Sequence, residues 1–115
     1  MNIINIIHNK AIEFADEAII AQYKGKPSTV KELYFKAFQL EKEAALYAPL
    51  DSEDTTPRHI LIRSAASLAM LSEQFVEAEK LIALGLSSSP PKFIKEELLA
   101  LSKEVKSRKE MKKAL

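Results

Sequence analysis

His8 and His59 are the only imidazoles in the 115-residue sequence, which has no cysteine. His59 and Arg63 stand one helical turn apart, with Ser64 and Ser67 close by, so a hydroxyl nucleophile beside a base is the first chemistry to test. Such a nucleophile needs a base that is itself oriented by a third group. No acid follows Glu53 and Asp54 before Leu71, and no glycine-rich turn offers an oxyanion hole. The residues therefore point away from hydrolysis, and His59, near a helix start, is expected to face solvent. Neither histidine has a second histidine or a carboxylate at metal-ligand spacing on its own helix. Glu13, Asp16 and Glu17 crowd one turn, where like charges repel unless a cation or lysine relieves them; with Lys10 close by, they read as a solvated face. The absence of cysteine removes disulfides, thiolate metal sites and cysteine nucleophiles together, and fits a reducing compartment. No active site and no cofactor are expected.

Charge is the next chemistry to weigh. The chain nets +1, which argues against a purely electrostatic partner such as bulk nucleic acid. Residues 1–90 carry 9 basic and 12 acidic side chains (−3), whereas residues 91–115 carry 8 basic and 4 acidic (+4). The six basic groups from Lys103 to Lys113 are interleaved with Glu104 and Glu110 and with no aromatic residue, so they offer bases no stacking platform. Glu104–Arg108 and Lys106–Glu110 are i,i+4 pairs that support a helix end. Nucleic-acid binding through this tail is the least favoured reading. The N-terminus has no basic start and no small-residue cleavage site, and no uncharged stretch approaches the roughly 20 residues of a membrane span. A cytoplasmic protein without a membrane contact is expected.

The elements that must position these residues follow from the prolines. Pro27, Pro49, Pro57, Pro90 and Pro91 divide the chain into long uninterrupted pieces, because proline is tolerated at helix starts and excluded from interiors. Ile4, Ile7, Ala11, Phe14, Ala15 and Ala18 recur at helical spacing and predict a first helix over about 4–23. Gly25 suits the left-handed position past its end. A second helix is expected over about 30–48, opened by a Thr29/Glu32 capping box. Its aromatic group, Tyr34, Phe35 and Phe38, is expected to place two members in the core and one at an interface. Thr56-Pro57 opens a third helix to about Leu71, with Leu61, Ile62, Ala65, Ala66, Leu68 and Ala69 inward. Ser72-Glu73-Gln74 is long enough only for a tight turn into a fourth helix, about 75–86. A fifth carries Ile94, Leu98, Leu101 and Val105, and residues 105–115 have little to bury and are expected to fray. Length, composition and these short connections predict one all-α domain over 1–115, of about five antiparallel helices.

From His59 to Pro90 the sequence resembles a tetratricopeptide repeat, a 34-residue helix-turn-helix unit. The residues that carry the resemblance are Ile62, Ala65, Ala66, Ala69, Phe75, Ala78, Ile82, Leu86 and Pro90, with Gln74-Phe75-Val76-Glu77-Ala78 similar to the repeat's entry into its second helix. The sequence departs from the pattern in three places. Ile62 stands where the repeat carries a large aromatic, Glu73 stands at the turn glycine and Gly85 at the late alanine. Residues 4–49 form a second hairpin in which only Tyr34, Ala37 and Pro49 fall near expected places. The resemblance implies two helical hairpins and a C-terminal capping helix. It also implies a non-enzymatic adaptor that binds a protein or peptide in a groove lined by the first helix of each pair. Carried over by position, the groove-facing residues are Ile60, Arg63, Ser67, Met70 and Leu71. Arg63, the only charge among them, has the fork geometry to grip a partner carboxylate. The alternative is a homo-oligomer or small regulatory subunit that associates through Ile3, Ile4, Ile6 and Ile7, which are too many isoleucines for one surface face.

Overall fold

The computed structural model describes residues 2–49 and 54–114, all as helices and short connections, with no strand among them. The helices are α1 (Ile3–Tyr23), α2 (Pro27–Tyr47), α3 (Thr56–Leu71), α4 (Phe75–Ser87) and α5 (Lys92–Ala114). Each packs on its neighbour in sequence, and α5 also returns to α3. The thinnest dimension is 19 Å, room for two layers of helices about 10 Å across. The acidic linker's Asp51, Ser52 and Glu53 lie outside the described residues.

Local chemistry sets most of the boundaries. Asn2 caps α1, its Oδ1 accepting from the Ile4 amide at 2.9 Å. Gly25 takes φ +67° past the α1 end, the region where glycine has no Cβ penalty. α2 starts three residues earlier than the expected capping box. Pro27 sits in the first turn and no side chain caps it, because a proline pre-set to helical φ nucleates the turn before Thr29 is reached. Asp54 accepts from the Thr56 amide at 3.0 Å and so opens α3. The turn between α3 and α4 places Glu73 at φ +61°, a conformation that suits glycine far better than a side chain.

The core is rich in alanine. Ala11 and Ala18 of α1, Ala37, Ala44 and Ala45 of α2, and Ala65, Ala66 and Ala69 of α3 are all fully buried, which lets helix axes approach closely. Ile62, Ile94 and Leu98 supply the bulk, each contributing about 1.5–3 kcal/mol when fully buried. Gly85 marks the tightest crossing, where an added Cβ would sit 2.8 Å from Leu98 Cδ1 and 3.3 Å from Ile62 Cγ2. Tyr34 and Phe38 are buried and Phe35 is half-buried, its ring 6.1 Å from that of Phe38.

Both ends of the stack are polar. At one, Lys10 and Lys36 lie over the Phe14 ring at 5.3 and 5.8 Å. At the other, α5 is helical to Ala114. Its basic groups lie against acids of earlier elements, Lys109 on Glu79 and Lys112 on Glu73. Beyond the buried Val105, its contacts with the rest of the molecule include these ion pairs.

Candidate functional site

α3 is the central helix, touching α2, α4 and α5, whereas α1 touches only α2. No Cα of α1 lies within 8 Å of one in α3, so the two first-of-pair helices leave a gap above α2. The gap is crossed by a polar chain. Glu41 of α2 is fully buried at its base, with Oε1 2.7 Å from His8 Nδ1 and Oε2 accepting from Ser64 Oγ at 2.7 Å. Removing one partner from a buried charged group leaves an uncompensated polar atom, so this chain fixes α1 and α3 on α2. The order is histidine–carboxylate–serine. Ser64 donates to the carboxylate and not to His8, so this geometry does not set the imidazole to take the serine proton.

Two clefts open along the gap. At the α3 N-terminal end a cleft of about 450 Å³ is lined by Ile4, Asn5, His8, Pro57, Ile60 and Leu61, among others. At the far end a second, of about 470 Å³, brings Gln22 of α1 and Lys26, Val30 and Lys31 of the first hairpin to Leu71 and Glu73. Asp54 stands at the first cleft, and its carboxyl is held below its ordinary value by the Thr56 amide and hydroxyl.

The expected site residues divide. Ile60 lines the first cleft and is 37% exposed. Leu71 lines the second and is half-buried. Ser67 is half-buried on the same side of α3, seven residues from Ile60, two helical turns on. Arg63 leans toward α5 and is ion-paired with Glu97. Met70 is 4% exposed and packs in the core. His59, expected at the surface, is 1% exposed. Its Nδ1 lies 2.9 Å from the Thr55 carbonyl and its Nε2 3.0 Å from the Ser88 carbonyl, tying the start of α3 to the end of α4. It is buried because α4 ends against it and supplies a partner for its outer nitrogen.

Sequence reasoning missed His8 and Glu41, which stand 33 positions apart. One signal was available: Glu41 falls among Ala37, Phe38, Ala44 and Ala45 on the buried stripe of α2, and a carboxylate on an apolar stripe calls for a partner. Among the described residues no group of three potential ligands could hold a metal ion, and no helix is long and apolar enough to cross a membrane. Comparison with protein-family models, curated proteins and solved structures finds no match to this chain.

Proposed function

We propose that this protein is a non-enzymatic, tetratricopeptide-like adaptor that holds a segment of a partner protein in the gap between α1 and α3. The observation that carries the reading is the gap itself. It is the place where two first-of-pair helices stand apart, and it opens on a largely apolar cleft with a few polar groups at its rim. Such a cleft fits recognition by shape and apolar contact, with polar groups fixing register. The positions that carry the repeat resemblance support it: Ile62, Ala65, Ala66, Ala69, Ala78 and Ile82 are all buried where the α3/α4 hairpin packs. The groove residues become Ile60, Ser67 and Leu71, joined by His8 of α1, with Arg63 serving as a strut to α5.

A photo-crosslinking amino acid at Ile60, with Val76 on α4 as control, tests this in the source organism's cells. Irradiation is expected to join position 60, and not position 76, to another protein. A complete absence of adducts from position 60 sinks the reading.

Self-association through the N-terminal isoleucines is the second reading, favoured by the 56% and 44% exposure of Ile3 and Ile6. Ile4 and Ile7, however, pack against the core, so half of that patch is already used. A strict monomer in light scattering at tens of micromolar would exclude it.

A further inference from the structure

The occupant of the groove can be specified more narrowly, on the reading that the α1–α3 gap binds protein. His8 marks the side of α1 that turns toward α3. At about 100° per residue, Ile12, Ile19 and Tyr23 fall on that side too, within about 40° of one another and rotated outward from the core. They are 43%, 46% and 90% exposed, and so form an unpartnered apolar wall. The opposite wall is polar. On α5, Glu97, Glu104 and Arg108 share one face, and both acids are already ion-paired, with Arg63 and Arg108 respectively. Between the walls, α3 presents Ile60, Ser64, Ser67 and Leu71, with two serines at its middle that leave room for a backbone to come close. The groove also has an axial charge order. Asp54 stands at the α3 N-terminal cleft. Lys26 and Lys31 stand at the other, where Glu73 is shared between Lys31 and Lys112.

We infer that the groove takes one amphipathic α-helix of a partner protein, its apolar face on Ile12, Ile19, Tyr23 and Ile60, its polar face along α5, a basic end at Asp54 and an acidic end at Lys26. An extended peptide would leave one wall unmatched at every second residue, since its side chains alternate. A helix presents apolar residues at i, i+3, i+4 and i+7 to one side only. The stretch from Ile60 to Leu71 is about 17 Å long, roughly three helical turns.

The test uses the full chain and four fluorescent synthetic peptides of about five turns. The first has leucines at helical spacing, lysines in its first turn and glutamates in its last. The second carries lysines at both ends, the third scrambles the leucines around the helix, and the fourth carries a central proline. Fluorescence anisotropy is expected to show the first bound most tightly, with the scrambled and proline peptides weaker by roughly tenfold or more. Ile19→Glu is expected to abolish binding and Val76→Glu to leave it unchanged; both residues are exposed, so both variants should fold. Circular dichroism confirms that each variant is folded.

Equal binding of the proline peptide overturns the helix and leaves the groove reading standing. Equal binding of the peptide with lysines at both ends overturns the charge order. Failure of all four peptides, with adducts still formed from position 60 in cells, overturns the helical occupant alone. Failure of both experiments removes the groove reading as well. A concentration-dependent doubling of mass that Ile19→Glu abolishes would make the occupant a second copy of the chain and overturn the inference.

Discussion

The two sides of α3 have solved the same problem differently. On the α5 side, Arg63 reaches Glu97 directly, and the helices pack around Gly85, Leu98 and Ile62. On the α1 side no backbone approach is made, and the link runs through the buried Glu41 carboxylate to His8 and Ser64. The closed side buries Ile62, Ile94 and Leu98 where α3 and α5 meet the core. The open side keeps Ile12, Ile19 and Tyr23 exposed. The lesson is that a buried polar relay can hold two helices at a set spacing without filling the space between them.

The sharpest way to break that contrast is the double variant His8→Ala/Ser64→Ala. It leaves the fully buried Glu41 carboxylate without either of its partners, and is expected to cost about 3–5 kcal/mol in urea unfolding. A cost below about 1 kcal/mol would show that the relay does not hold the open side. His59→Ala comes next, at about 2–4 kcal/mol, from a cavity plus the loss of the ring's hydrogen bonds to Thr55 and Ser88. On the closed side, Gly85→Ala sets an overpacking cost of about 1–3 kcal/mol against a helix-propensity gain of about 1 kcal/mol. A net loss near 1 kcal/mol is expected, and a net gain would mean that Leu98 moves aside freely. Arg63→Ala should cost less than about 1 kcal/mol, because the pair is half-exposed. That would leave packing as what closes the side.

The smallest effect is a pH dependence. Glu73 is held below its ordinary value of 4.5, first by its hydrogen bond to Lys112 and then by that to Lys31. A depressed carboxyl contributes stability that is present above its unfolded value and is lost as the pH falls through the folded one. Unfolding followed from pH 6 downward should therefore show a loss beginning near 4.5 that Glu73→Gln removes.

Much of the fold is legible in the sequence, because proline punctuation and helical periodicity are local. All five helices and the inward faces of α1, α3 and α5 can be read from residues a few positions apart. What is not legible depends on distant partners. His59 at the start of a helix reads as exposed until Ser88 is known to close over it. The partners of the tail's Lys109 and Lys112, Glu79 and Glu73, likewise lie in α4 and the turn before it, out of reach of any local spacing. Of the candidate site, Ile60, Ser67 and Leu71 follow from position along one helix. Met70, one step from Leu71, turns inward, and Arg63 turns toward α5, whose placement no spacing rule fixes.

Because α1 rests on α2 alone, its release would disturb no contact among α3, α4 and α5. Its amides should exchange with solvent deuterium through a partial opening that leaves α3, α4 and α5 protected. A bound partner would close that opening and slow exchange across α1 first. The wall that recognises the ligand would thus also be the part of the chain whose protection reports that it has arrived.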